Sequence, residues 1–106
     1  MNVYLVALVT VPSMEVGRDI ARGLLDHKLA ACVNIVPSIS SIYTWEGEVC
    51  VDEELLLIIK TTESAFDELV SAVKDIHPYD IPEIIALPLA AGSKDYLHWI
   101  EQGVKA

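Results

Sequence analysis

Residues 30–62 read AACVNIVPSISSIYTWEGEVCVDEELLLIIKTT. This stretch decides the fold, because it is strand-like throughout and contains one tight turn, at Glu46-Gly47, where glycine tolerates a positive φ. It is therefore predicted to form one long β-hairpin. Pro37 interrupts the first strand and favours a bend at the edge of a sheet.

The returning strand changes character along its length. Up to residue 54 it alternates, with Val49 and Val51 on one face and acidic residues or cysteine on the other, namely Glu48, Cys50, Asp52 and Glu54. Residues 55–59 are apolar on both faces, as in an interior strand. The outer half is thus predicted to be a two-faced arm, and the inner half to belong to the body of the domain.

This arm is too long for the body that carries it. A strand of about 14 residues spans roughly 46 Å, whereas a globule of this size has a diameter of roughly 30–35 Å. An isolated two-stranded hairpin is marginally stable in water, and its exposed edge and apolar face invite a partner. We expect a homo-oligomer closed into a ring, and the residues alone leave two, three and six copies open.

The elements around the hairpin complete the fold. Before the hairpin, the sequence predicts a strand at 3–9 that is buried on both faces and an amphipathic helix at 14–28 with Ser13 as its N-cap. After the hairpin, it predicts a second helix that has Thr62 as its N-cap and ends near residues 76–77. A short edge strand at 83–87 and a last helix after Gly92-Ser93 follow. The order is β-α-β-β-α-β plus a helix. It predicts a single α+β domain over 1–106 of the ferredoxin-like type, with both crossover helices on one face of a four-stranded antiparallel sheet.

The amino-acid composition and the absence of known motifs disfavour several classes of partner and function. Seven Lys and Arg against sixteen Asp and Glu give a net charge of −9, which disfavours nucleic acid and anionic membranes as partners. No apolar run reaches the roughly 18 residues that cross a membrane, and the N-terminus lacks the basic region of a signal peptide. We expect a cytoplasmic protein. Since no GxSxG, P-loop, GxGxxG, HExxH or CxxC motif occurs, we also expect it not to be an enzyme.

Two cysteines bear on the compartment. If Glu46-Gly47 centres the turn, Tyr43 lies opposite Cys50, and Cys32 stands roughly 36 Å further along that strand. A disulfide needs Cα atoms within about 7 Å. Cys32 and Cys50 are therefore predicted to be free thiols, in agreement with a reducing compartment.

Four stretches, ACVNIVPSISSIYTWEGEV, LLLIIKTT, HPYDIPEIIALPL and DYLHWI, closely resemble the CutA family, the divalent-cation tolerance proteins. The resemblance runs through essentially the whole chain. It implies a stable homotrimer of ferredoxin-like subunits that is similar to the PII signalling proteins in fold and assembly. It also implies binding of copper or other divalent metal ions as the cofactor.

The resemblance also suggests metal ligands. The ligands described for the family are a Cys at the end of the first strand and two adjacent His before Pro-Tyr; here these positions hold Val9 and Ile76-His77. His77 and Cys32 are the candidate metal ligands. His77 has an alternative role as a cap on the second helix, and Cys32 as a small apolar residue. The acidic face of the arm either gathers cations weakly or is simply solvated.

A cleft between subunits is the other candidate site. Trp45, Lys60, Tyr79 and Glu83 fall at recurrent positions of the family, and grooves between subunits of PII-like trimers hold small anionic ligands. Alternatively, Lys60 and Glu83 form a structural ion pair. The first interpretation is therefore a metal-binding tolerance protein, the second a PII-like ligand-sensing trimer, and the third a structural trimer.

Overall fold

The computed structural model describes residues 3–105, so residues 1, 2 and 106 of the predicted domain lie outside the described range. Its strands are β1 (Tyr4–Val11), β2 (Cys32–Trp45), β3 (Glu48–Thr62) and β4 (Ile84–Pro88), and its helices are α1 (Met14–Asp26), α2 (Phe66–Ile76) and α3 (Lys94–Gly103). The strands form one antiparallel sheet in the order β2-β3-β1-β4. The ferredoxin-like α+β fold is thereby confirmed, with the proline-containing strands at the two edges.

The core lies between one face of the sheet and the helices. Fully buried side chains come from β1, β3, α1, α2 and α3, among them Val9, Leu57, Ile20, Leu69 and Ile100. Burial in β1 alternates strictly, because its odd-numbered residues face the helices and its even-numbered residues face the opposite side. The prediction that this strand is buried on both faces is therefore wrong for one protomer, since its second face stays only half-covered.

Local chemistry sets the ends of the helices. Ser13 Oγ accepts a hydrogen bond from the Val16 N–H at 3.2 Å and caps α1, as predicted. The helix ends at Asp26, two residues before the predicted end, because Lys28 takes a left-handed conformation (φ 55°). The predicted side-chain cap by Thr62 is wrong, because its hydroxyl contacts Ser64 Oγ instead and a 3-10 turn at Glu63–Ala65 precedes α2.

The hairpin forms as predicted. Trp45 lies opposite Glu48, and Tyr43 opposite Cys50. Glu46 and Gly47 both have positive φ, 51° and 79°, as the two central residues of a type I′ turn require. The hairpin makes the protomer long, 44 Å against 26 and 22 Å in the other directions. Both cysteines are free thiols, as predicted.

A bulge divides the hairpin into body and arm. Val36 pairs with Leu56, but the next paired residue of β2 is Ile39, opposite Glu54. One residue more is used in β2 than in β3, and Ser38 takes a positive φ of 61° there. Beyond the bulge, Tyr43 and Trp45 share a face with Asp52 and Glu54, on the side of the sheet away from the helices.

Candidate functional site

A cleft of about 580 Å³ opens on the helix-free side of the sheet, where the arm leaves the body. One wall is the arm, and the other is the connector between α2 and β4, residues 77–83. The lining residues are aromatic, acidic or small, together with two isoleucines, namely Thr10, Ser41, Ile42, Tyr43, Trp45, Asp52, Glu54, Tyr79, Asp80, Ile81 and Glu83.

Glu54 lies at the inner end of the cleft. The residue is only 7% exposed. The alternation of the arm sequence had placed it on the acidic face of the arm, which was considered a solvated face. Its Oε2 accepts a hydrogen bond from the Tyr79 hydroxyl at 2.9 Å. Burial and this bond to Glu54 raise the pKa of Tyr79 to about 12. Among residues 3–105, no Lys, Arg or His forms an ion pair with Glu54.

Tyr43 and Asp52 form a second pair further out along the arm. The Tyr43 hydroxyl donates to Asp52 Oδ2 across the two strands. That hydrogen bond, followed by burial, raises the pKa of Tyr43 to about 12. At neutral pH the cleft therefore holds two protonated phenols, each bound to an acceptor carboxylate.

His77 links the connector to β1 through its ring nitrogens. Its ring is buried, Nε2 lies 2.7 Å from the Thr10 carbonyl oxygen, and Nδ1 lies 3.2 Å from the Tyr79 backbone nitrogen. A neutral ring that carries its proton on Nε2 satisfies both contacts, donating to Thr10 and accepting from Tyr79. Both ring nitrogens are thus engaged, and the Tyr79 ring packs at 4.6 Å between centroids.

Of the four residues predicted for a cleft between subunits, three lie together in a cleft of the single protomer. Trp45, Tyr79 and Glu83 line the cleft, whereas Lys60 does not. Lys60 lies near the other end of the sheet, and its ammonium donates to Asn34 Oδ1. Within the described chain, Lys60 and Glu83 form no ion pair.

The two predicted metal ligands lie apart. Cys32 pairs with Lys60, which pairs with Val6, whereas His77 contacts Thr10, four residues further along β1 and so about 13 Å away along the strand direction. Val9 is fully buried in the core. No three His, Cys, Asp or Glu side chains between residues 3 and 105 converge on a position that would hold a metal ion. A copper site of the pattern described for the family therefore does not fit one protomer.

Asp52 and Glu54 were considered from the sequence only as part of the acidic face of the arm, and Tyr43, Thr10 and Asp80 were not predicted as site residues. Tyr43, Asp52 and Glu54 carried a usable signal, because the strand alternation and the register placed them on one face of the arm. No sequence pattern indicated Thr10 or Asp80, because only the tertiary fold brings β1 and the connector against the arm.

The fold and the cleft define a small ferredoxin-like α+β protein with an extended hairpin and an acidic, aromatic cleft at its base. The family model described as "CutA1 divalent ion tolerance protein" matches residues 5–103. The chain belongs to this family.

Relatives of known name support the assignment. The chain is 57% identical over 97 residues to the "Divalent-cation tolerance protein CutA" of Thermus thermophilus, covering 92% of this chain and 94% of that one. It is 52% identical over 101 residues to "Protein CutA 1, chloroplastic" of Oryza sativa, covering 95% of this chain but only 57% of the longer rice protein.

Solved structures agree with the fold. The divalent cation tolerance protein of Thermus thermophilus superposes with a TM-score of 0.95 at 54% identity, covering 96% of this chain and 99% of that one. The structure described as the periplasmic divalent cation tolerance protein CutA of Archaeoglobus fulgidus gives a TM-score of 0.91 at 41% identity, covering 99% and 100%.

Proposed function

We propose that this protein is a non-enzymatic divalent-cation tolerance protein that acts as a homotrimer and takes part in the response to divalent metal ions such as copper. The observation that carries the proposal is the 57% identity, over nearly the full length of both chains, to a protein named for divalent-cation tolerance. Neither nucleic acid nor membrane is a proposed partner. No helix between residues 3 and 105 has the length and apolar character needed to cross a membrane.

Exposed apolar surface supports the assembly. Ile42, Val49 and Val51 on the arm are 69%, 73% and 61% exposed, and Ile85 and Leu87 on the edge strand β4 are also mainly exposed. A protomer that exposes this much apolar surface is expected to bury it against further copies. We propose three copies because the family resemblance implies a trimer.

The metal proposal concerns weak binding at carboxylates. The acidic surface supplies carboxylates in excess, whereas His77 offers no free ring nitrogen and Cys32 lies at a distance from it. Calorimetric titration with Cu²⁺ and Zn²⁺ tests this on the wild type, His77→Ala and Cys32→Ser, with the exposed His98→Ala as the control. We expect equal affinities in all four proteins. A tenfold loss in His77→Ala or Cys32→Ser alone would restore those residues as the ligands.

Ligand sensing in the cleft is the second candidate function. It is favoured by the cleft itself, whose volume of about 580 Å³ lies within the range of small-molecule sites. A thermal-shift screen of nucleotides, amines and metabolites tests it, and saturable stabilisation by one compound class is the expected result. A screen without any shift would leave the metal-responsive or purely structural trimer as the remaining interpretation.

We propose the cytoplasm as the compartment, because both cysteines are free thiols and so suit a reducing environment. Relatives described as chloroplastic and as periplasmic also belong to the family. Fractionation of the native organism, with this protein detected by antibody, checks the assignment. Recovery in a periplasmic or organellar fraction would overturn it.

A further inference from the structure

We propose that the arm is ordered by assembly: its two strands stay paired only against neighbouring copies of the chain, whereas the body of the protomer folds on its own. The arm comprises residues 39–54, beyond the bulge. The inference rests on the proposed homotrimer and goes beyond it, because it assigns a change of conformation to the association step. It is supported by the extent of the core, the position of the bulge and the exposure of the arm.

The hydrophobic core ends where the arm begins. Ile35 is the last residue of β2 that packs against the core, and Leu55 is the first residue of β3 that does so. No residue from 36 to 54 belongs to the core or packs against it. Burial of apolar surface is the main term that stabilises a fold. The arm therefore gains no such term from the helices, and the core of the body stays complete when the arm opens.

The bulge separates the ladder of the arm from the ladder of the body. Pairing is interrupted between Val36 and Ile39, and Ser38 holds a positive φ of 61° in the interruption. Proteins open in contiguous cooperative units, which often coincide with supersecondary motifs such as a hairpin. Opening of the arm can therefore stop at the bulge and leave residues 32–36 paired with residues 56–60.

Within one protomer the arm is a two-stranded hairpin whose side chains are largely open to water. Ile42, Val49 and Val51 are mainly exposed, and about half of Trp45 is exposed. An isolated two-stranded hairpin is at best marginally stable in water, because the entropy lost on ordering it needs compensation by burial. Another copy of the chain that covers the aliphatic side chains supplies this burial, so association and pairing of the arm occur together.

The coupling has a consequence for the cleft. Tyr43 and Trp45 form part of its wall and lie on the arm, whereas Tyr79 lies on the connector. The hydrogen bond from Tyr79 to Glu54 joins the two walls only at the inner end of the cleft. A free protomer with an open arm therefore lacks one wall, and the cleft is complete only in the assembled protein.

Amide hydrogen exchange in a monomeric variant tests the inference. The double variant Ile85→Asp, Leu87→Asp places two charges on mainly exposed positions of the edge strand β4, outside the arm, and is expected to have the mass of a monomer by light scattering. We expect its arm amides to exchange about a hundredfold faster than those of the wild-type trimer, while the amides of β1 stay protected. Ser71→Asp on α2 is the control and is expected to stay trimeric with a protected arm.

A second measurement uses the wild type and needs no substitution. If the arm opens only after dissociation, mass action links its opening to the protein concentration. Exchange of the arm amides is then expected to slow as the concentration rises, and to remain much faster than exchange in β1. This concentration series decides the question if the double variant at Ile85 and Leu87 stays trimeric or fails to fold.

The outcomes separate this inference from the proposed trimer. A wild type that is itself a monomer by light scattering would refute the trimer and the inference with it. A trimeric wild type whose monomeric variant keeps the arm amides as protected as before would overturn the inference alone. Arm exchange that is independent of concentration, or equal to exchange in β1, would overturn it as well, because the arm would then open within the trimer or unfold together with the body.

Discussion

Tyr79 donates its phenolic hydrogen to Glu54 at 2.9 Å and so joins the connector before β4 to the base of the arm. Removing the hydroxyl leaves a buried carboxylate without this donor. We expect Tyr79→Phe to lower the free energy of unfolding by about 1–3 kcal/mol. Denaturant unfolding at fixed protein concentration measures the effect. Tyr43→Phe is the matched control, because its partner Asp52 is exposed to water and the expected change in stability is much smaller.

The same contact predicts a loss of stability in alkali. The pKa of Tyr79 is about 12 in the folded protein, against 10.0 as the ordinary value. Between these values the unfolded chain releases the proton while the folded chain retains it, so stability is complete below about pH 10 and declines towards pH 12. Unfolding measured from pH 9 to 12 is expected to decline less steeply in Tyr79→Phe. An unchanged slope would argue against the raised pKa.

The turn of the hairpin offers a stabilising change. Glu46 holds a positive φ of 51°, which a type I′ turn accommodates better with Asn before Gly. We expect Glu46→Asn to raise the free energy of unfolding by roughly 0.5–1 kcal/mol. Gly47→Ala is the opposite control, since its φ of 79° strains any side chain although open space surrounds it. Stabilisation by both substitutions would contradict this account of the turn.

The apolar face of the arm is expected to hold the assembly together. Ile42 and Val51 lie opposite each other across the arm and are both mainly exposed in one protomer. The double variant Ile42→Asp, Val51→Asp is expected to reduce the mass measured by light scattering to that of a monomer. Ser71→Asp on the exposed side of α2 adds a negative charge elsewhere and serves as the control. A trimer that survives the double substitution would refute a role of this face in assembly.

His77 is expected to contribute to stability. Its ring joins the Thr10 carbonyl to the Tyr79 amide inside the protein. His77→Ala removes both hydrogen bonds and leaves a cavity, for an expected loss of about 2–4 kcal/mol. Thermal unfolding in the presence of a chelator measures this without any contribution from metal. A variant as stable as the wild type would remove the structural role assigned to the ring.

The fold was predictable because its signals are local. The turn at Glu46-Gly47, the register of Tyr43 with Cys50 and the edge positions of the proline-containing strands all follow from chain geometry, and the structure confirms them. Burial on the second face of β1 was predicted incorrectly, because an apolar residue such as Leu8 looks the same in sequence whether another part of the chain or another subunit covers it.

The site was predictable only in part. Trp45, Tyr79 and Glu83 were predicted by resemblance for a cleft between subunits, which stays a prediction; within one protomer they line the cleft beside the arm. The burial of Glu54 and the contact of His77 with Thr10 depend on how the connector folds back over the sheet, which no periodic pattern in the sequence encodes. Acidic residues in a strand are usually solvated, so the alternation of β3 placed Glu54 on the correct face but did not indicate that it is buried.

The bulge at Pro37-Ser38 changes which side of the sheet the following side chains of β2 face. Because side chains alternate, one extra residue exchanges the two sides for everything that follows. Here it places Tyr43 and Trp45 on the side of the sheet away from the helices, whereas Ile42, which also borders the cleft, belongs to the opposite face of the arm. Had β2 lacked that residue, the same letters from 39 to 45 would present the aliphatic row where the aromatic row now stands. The number of residues at the bulge thus decides which side chains of the arm lie on each side of the sheet, several positions away from the side chains themselves.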